Sequence, residues 1–183
     1  MSLPLKIVAT PHAHDAQIVL IDDLLRKPSV YGPASRLLGE AFTNYVDNLP
    51  QRLRIGERAA ALAKYGDKPV GTIVYNQNPK DPSTTFLELI VTREKYRRRK
   101  VGTRLLQLVE AETALRGATQ LQTLAPQKMP GLQNFLAGNG FYFSRMKESE
   151  GGVLFLLYKK DLKEKDNKQK TSLPPESLQK HLS

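Results

Sequence analysis

The twenty residues from Leu87 to Leu106 restrict this chain more than any other stretch: an apolar run (LELIVT), a basic run (REKYRRRK) and a helix-like start (VGTRLL). Between Arg93 and Arg104 stand seven basic residues (Arg93, Lys95, Arg97, Arg98, Arg99, Lys100 and Arg104) against one acid, Glu94. The net charge of the whole chain is +10, so this turn holds over half of it. A strand that empties into a turn and then a helix directs free amides and the positive end of the helix dipole at the turn, which makes an anion site. Arginines there add charge-assisted hydrogen bonds, and Gly102 lets backbone come close to a phosphate. Like charges this dense repel one another unless a polyanion is present, so the candidates are a phosphorylated cofactor, a nucleic acid or an acidic protein.

The periodicity on either side supplies the frame. Leu5 to Ala9 reads as a strand, Pro11 breaks away from it, and Asp15 is placed to cap a helix carrying Ile18, Ile21 and Leu25. A second helix follows Ser35, with Leu38, Ala41, Phe42, Tyr45 and Leu49 on one stripe and Pro50 as its stop. Ala59 to Tyr65 and Val70 to Tyr75, joined by Gly66-Asp67-Lys68-Pro69, read as a hairpin. Asn76 to Ser83 reads as a polar loop with two prolines, and Thr84 to Val91 as a third strand. The spacing predicts a helix from Val101 to Arg116 with Val101, Leu105, Leu108, Val109 and Leu115 inward, then a strand at Gln120 to Leu124. Pro130 to Ala137 reads as a short helix, and Phe141 to Lys147 and Val153 to Tyr158 as closing strands. Residues 162–183 are rich in Lys, Gln, Ser and Pro and poor in apolar side chains, the composition of a flexible basic tail behind one domain at 1–161.

Several chemistries are excluded by content. The chain has no cysteine, and its three histidines (His12, His14 and His181) stand apart from carboxylates at ligand spacing, so no metal is assigned. No apolar run reaches membrane-spanning length, and Met1 to Ala9 lacks the basic start and apolar stretch of a secretory signal. An intracellular, cytoplasmic protein is expected, with the nucleus left open.

The basic turn resembles the phosphate-binding signature of the GNAT superfamily, Q/R-x-x-G-x-G/A after a strand: Arg97 and Gly102 match its ends, and Lys100 stands at its first glycine. Lys68-Pro69-Val70-Gly71-Thr72-Ile73 is similar to that family's entry into its third strand, and Phe135-Leu136-Ala137-Gly138-Asn139-Gly140-Phe141 to its L-Y-x-x-x-G-F segment. The order of elements from Leu5 to Lys160 follows the family as well. The resemblance implies an α/β fold whose mixed, mostly antiparallel sheet is splayed near its centre with helices on both faces. It also implies acetyl-coenzyme A as co-substrate, with the phosphates at Arg97, Arg98, Arg99, Lys100, Val101, Gly102 and Thr103. The pantetheine arm would lie along Leu89, Ile90 and Val91, where a strand amide polarises the thioester carbonyl. The family's usual proton donor, the tyrosine of L-Y-x-x-x-G-F, is Leu136 here, and the region that often supplies an asparagine reads Gln127-Lys128-Met129-Pro130.

For the proton acceptor, strand alternation places Glu88 with Phe86 and Ile90, where apolar neighbours raise a carboxyl pKa toward a useful value; the alternative is a solvated strand carboxylate. Tyr142, just after Gly140-Phe141, is the candidate replacement acid, or else a half-buried packing residue. Tyr75 carries the same ambiguity, and His12 and His14 read as surface residues. The function expected is direct acetyl transfer from acetyl-coenzyme A to a primary amine of a small molecule, peptide or protein. Two other readings stay open: a coenzyme A-binding protein without turnover, and a nucleic-acid-binding module, with acylation of a charged transfer RNA between them. A homodimer also stays open.

Overall fold

β-branched and small apolar residues build the sheet, and helices close both of its faces. The computed structural model describes residues 4–10, 14–78 and 80–162; His12, Pro11 and the expected tail from 163 onward lie outside these. In chain order the elements are β1 (Leu5–Thr10), α1 (Asp15–Arg26), α2 (Pro28–Leu38), α3 (Glu40–Arg54), β2 (Ala59–Tyr65), β3 (Lys68–Asn78), β4 (Asp81–Thr92), α4 (Val101–Leu115), β5 (Gln120–Pro126), α5 (Pro130–Gly138), β6 (Tyr142–Glu148) and β7 (Leu154–Asp161). The seven strands form one sheet in the order β1-β2-β3-β4-β5-β7-β6. Every neighbouring pair is antiparallel except β4 and β5, which are parallel and joined through α4. This is the mixed, mostly antiparallel sheet expected, with helices on both faces.

The N-terminal half corrects several expectations. Three helices precede β2 instead of two, because the chain breaks at Lys27-Pro28 and again at Gly39, whose φ of 60° belongs to glycine. His14, not Asp15, caps α1, its N–H donating to Gln17 Oε1 at 3.3 Å, and Asp15 is the first helical residue. Pro50 lies inside α3 and does not end it. Its missing hydrogen bond is offset by Leu49 and Leu53, each 1% exposed, which press the last turns of α3 onto the sheet. The expected polar loop at Asn76 to Ser83 is largely strand, with Gln77 Nε2 donating to the Pro82 carbonyl at 2.6 Å across the turn.

The sheet divides two cores. Ile18, Ile21, Leu25, Phe42, Val46, Leu49 and Leu53 from α1 and α3 pack on one face against Ala60, Leu62 and Val74. On the other, Val101, Leu105, Leu106 and Val109 of α4 and Leu136 of α5 pack against Ala61, Ile73, Tyr75 and Leu87. Leu115 is 78% exposed, contrary to expectation. Steps of four residues from Val101 reach Val109 and then Thr113, whose hydroxyl donates to the Val109 carbonyl, and a 3.6-residue repeat turns position 115 outward. At Gly71 a Cβ would stand 2.9 Å from the Val91 carbonyl and 3.1 Å from Leu105, so the bare backbone lets α4 rest on β3.

Candidate active site

Strand β4 does two things that an ordinary strand does not. It pairs with β5 only from Thr84 opposite Gln120 to Leu87 opposite Thr123, although both strands continue. Beyond that rung Leu124–Pro126 stays paired with β7, and the β4 edge from Glu88 to Thr92 has no strand on that side among the described residues. Thr123 Oγ1 donates to the Leu87 carbonyl at 2.9 Å and fixes the last shared rung. The result is a wedge between β4 and β5 that exposes backbone donors and acceptors along 88–92. An extended ligand can fill it as an added strand.

The second feature is a bulge. Val74 pairs with Leu89 and Tyr75 with Leu87, so Glu88 is the extra residue. It reverses the alternation: Leu87 and Ile90 both pack toward α4, while Leu89 and Val91 pack toward α1 to α3. Glu88 therefore does not sit in the apolar surroundings that plain alternation gives it. Arg58 Nε lies 2.7 Å from Oε1, Asn76 Nδ2 donates to Oε1 at 2.8 Å, and the Tyr45 hydroxyl donates to Oε2 at 3.2 Å. With its side chain 13% exposed, Glu88 is held by three donors from α3, β3 and the loop before β2. Burial pushes the Tyr45 phenol well above its usual pKa, and the Glu88 charge adds to the shift. Tyr45 is thus a fixed donor to the carboxylate across the neutral range. No feature of the sequence marks Tyr45, Arg58 or Asn76 as partners of Glu88, because the bulge that turns it toward them is invisible in the pattern.

The turn after β4 holds a single turn of 3₁₀-helix at Glu94–Tyr96 and then two non-glycine residues at positive φ, Arg98 (60°) and Lys100 (59°). Lys100 is also the N-cap of α4 and occupies the left-handed region, at the position where the family signature has glycine. A side chain there costs about 1–2 kcal/mol, which is the physical reason glycine suits that place. The first bond of α4 runs from the Arg104 N–H to the Lys100 carbonyl at 3.0 Å. The amides of Val101, Gly102 and Thr103 precede it and have no intrahelical acceptor.

The basic side chains divide by role. Arg97 folds back, its Nε donating to the Thr92 carbonyl at 3.3 Å. Lys95, Arg99 and Arg93 surround the Tyr96 ring at 5.1, 5.8 and 5.9 Å from its centroid, and Tyr65 stacks on that ring at 5.4 Å. Gly102 meets neighbours other than expected: a Cβ would lie 3.0 Å from the Phe135 ring of α5, so the glycine seats a side chain and frees its amide at the same time.

The remaining candidates are not brought to the wedge. Tyr142 begins β6 opposite Lys159, level with Gln122 on the paired side of the divergence; it is 47% exposed and its hydroxyl donates to Asp161 at 3.3 Å. Tyr75 faces α4 and donates to Glu112 at 3.0 Å, and burial together with that carboxylate pushes its phenol above the usual range. Leu136 is fully buried. His14 stands at the N-cap of α1, where its backbone N–H makes the capping bond, away from the wedge. Among the described residues no group of His, Asp and Glu is placed to hold a metal ion, and no helix is long and apolar enough to cross a membrane.

Comparison with known proteins agrees with this geometry. The chain aligns at 87% of its length with 98% of an aminoglycoside 6'-N-acetyltransferase solved with coenzyme A (17% identity, TM-score 0.69). It aligns equally far with 99% of the PaiA N-acetyltransferase of Thermoplasma acidophilum, also solved with coenzyme A (12% identity, TM-score 0.66). An acetyltransferase of Thermus thermophilus is covered completely by 88% of this chain (24% identity, TM-score 0.60). No curated protein matches the chain in sequence. The family model described as acetyltransferase (GNAT) matches residues 24–141, which spans α3, the bulged strand, the basic turn and α5. The chain belongs to the acetyltransferase (GNAT) family.

Proposed function

We propose that this protein transfers the acetyl group of acetyl-coenzyme A directly to a primary amine of a small molecule, peptide or protein. The observation that carries the reading is the β4 edge at 88–92, left without a partner by the divergence from β5 and running straight into the amide-rich turn at Arg97–Thr103. That continuity fits coenzyme A: an extended arm for the strand edge and phosphates for the turn. When bound, acetyl-coenzyme A supplies an activated thioester. Leu89, Ile90 and Val91 offer backbone hydrogen bonds to its arm and to the polarised carbonyl, and the free amides of Val101, Gly102 and Thr103 with the neighbouring arginines hold its phosphates.

Glu88 is the proton acceptor in this scheme. A carboxylate offers about four lone-pair sites. Arg58 Nε reaches both oxygens, 2.7 Å from Oε1 and 2.8 Å from Oε2, while Asn76 donates to Oε1 and Tyr45 to Oε2, so the amine of an acceptor reaches the carboxylate by displacing one of these contacts. Because those donors lie on the side of α1 to α3, the acceptor approaches from that face. Leu136 cannot donate a proton to the leaving thiolate, and the chain relies instead on the acidity of a thiol whose ordinary pKa is about 8.5. General-acid help there is worth about 10²- to 10⁴-fold, so turnover is slowed and not abolished. Tyr142 takes no part, being engaged with Asp161.

The test has two arms. Calorimetry and thermal unfolding with acetyl-coenzyme A report the site: at 100 times the dissociation constant a ligand adds about 2.7 kcal/mol, which in a domain of this size raises Tm by about 5–10 °C. Steady-state acetylation over a panel of polyamines, aminoglycosides and peptide amines reports the chemistry. Absence of binding at millimolar acetyl-coenzyme A overturns the reading. Binding without acetylation of any amine replaces it with a coenzyme A-binding protein.

A further inference from the structure

The excess charge of residues 1–162 is segregated to one end, and coenzyme A accounts for only part of it. Lys6, Lys64 and Lys68 stand at the end of the sheet where β4 runs into the turn: the Arg93 N–H donates to the carbonyl of Val70, two residues after Lys68, and Lys64 pairs with Lys6 on the α1–α3 face, opposite to Tyr65, which stacks on Tyr96. The combined surface holds ten basic residues and two acids, Asp67 and Glu94. Over the rest of residues 1–162, thirteen basic and thirteen acidic residues cancel.

The two groups differ in pairing as well as in number. Arg26, Lys27, Arg52, Arg54, Arg58, Arg116 and Lys160 form ion pairs, and none of the ten does so among the described residues. Ten cations gathered against two carboxylates are a standing electrostatic cost, tolerated where an external polyanion relieves it. Coenzyme A brings about four negative charges at neutral pH on its three phosphates, against a net eight. A groove of about 300 Å³ between Ser29 of α2 and Arg93, Glu94 and Lys95 extends the surface toward the face from which the acceptor approaches.

We propose that this basic end binds the phosphate backbone of a nucleic acid, alongside coenzyme A at the turn. Five of the ten cations are arginines, whose planar fork matches phosphate oxygens two at a time. A membrane surface fits less well, because among the described residues the exposed large apolar side chains (Val19, Ile55, Leu115, Tyr142, Phe143, Met146 and Leu154) all lie elsewhere. An acidic protein partner fits less well for the same reason, since stable protein interfaces need apolar anchors. Recognition is by charge and not by base: Tyr96 is ringed by its own cations and covered by Tyr65, so it offers no open stacking face.

The charge surplus is counted with coenzyme A at the turn and so rests on that part of the proposed function; calorimetry with acetyl-coenzyme A on the same preparations reports that part separately. The experiment is fluorescence anisotropy of a labelled 20-nucleotide RNA with the full chain, from 50 to 200 mM KCl. The expected result is a dissociation constant below about 10 µM at the lowest salt and a log–log salt slope of about −3 or steeper, as four or more phosphate contacts require. The triple variant Lys6→Glu/Lys64→Glu/Lys68→Glu, which leaves the turn intact, should bind RNA at least tenfold more weakly and acetyl-coenzyme A within twofold of the parent. Failure to bind RNA, a slope shallower than −1, or equal binding by the triple variant overturns the proposal. So does binding to vesicles of phosphatidylcholine and phosphatidylserine (7:3) in place of RNA. RNA binding in a protein that ignores acetyl-coenzyme A keeps the surface and removes the acetyltransferase.

Discussion

Strand β4 carries charge at its bulge and at its exit, and the two places treat it in opposite ways. At the bulge a single carboxylate, Glu88, meets Arg58, Asn76 and Tyr45 within 3.2 Å. At the exit, cations crowd a turn in which two non-glycine residues take a left-handed backbone and no carboxylate answers them among the described residues. A charge satisfied from within fixes geometry, because removing any one partner leaves another half-buried and unpaired. A charge left unsatisfied is available to something outside. The same strand thus holds a charge answered from within at one point and charges left open to the outside at the other.

The sharpest way to break this contrast is Glu88→Gln, which keeps the shape of the side chain and removes the proton acceptor. The rate of acetylation should fall by about 10²- to 10⁴-fold, while calorimetry gives an acetyl-coenzyme A affinity within twofold of the parent. A variant with unchanged kcat would remove Glu88 from the chemistry and make the network at the bulge a structural one.

Arg58→Met asks whether that network is as closed as it looks. The methionine keeps the packing of the stem and deprives a largely buried carboxylate of its cation, for a loss of about 2 kcal/mol, read as a shift of the urea midpoint. By contrast, Arg98→Met at the turn removes a charge that nothing inside the protein answers and should cost less than about 0.5 kcal/mol. Equal losses at the two sites would erase the distinction between them.

Much of the fold was legible because its signals are local and repeated. The strands, α4 and the basic turn announce themselves through periodicity and charge, and β-branched runs such as Thr84 to Val91 leave little choice. Pro50 misleads because tertiary burial of Leu49 and Leu53 outweighs the local break. The candidate site was legible at the turn and obscure at the bulge. A single inserted residue reverses which face each later side chain takes, and neither Glu88 nor its neighbours differ in kind from residues of a regular strand. Arg58, thirty residues away, carries no mark of its partner.

Gly102→Val probes how the turn is supported from behind. Its Cβ would stand 3.0 Å from the Phe135 ring, so the branched side chain overpacks the contact between α4 and α5 at a cost of about 1–3 kcal/mol. The double variant Gly102→Val/Phe135→Ala should lose less than the sum of its parts, by more than about 0.5 kcal/mol. Strict additivity would show that the valine strains the turn itself and not the helix packing behind it.

Lys100→Gly has a small expected effect and the most telling sign. In the left-handed region the lysine side chain costs about 1–2 kcal/mol relative to glycine, and glycine gives back about 0.5–1 kcal/mol through the freedom it adds to the unfolded chain. The net is a gain of about 0.5–1 kcal/mol, or a rise in Tm of about 1–4 °C for a chain of this size. Arg99→Gly, one residue earlier and without a positive φ, has no such strain to relieve and loses the contact of its guanidinium with Tyr96, so it should destabilise by about 0.5–1 kcal/mol. Acetyl-coenzyme A affinity at 150 mM salt should hold or improve in Lys100→Gly, because the turn keeps its backbone course and a surplus of other cations. If both glycines destabilise alike, the left-handed turn is not under strain, and the lysine stands at the glycine position of the family signature without backbone cost.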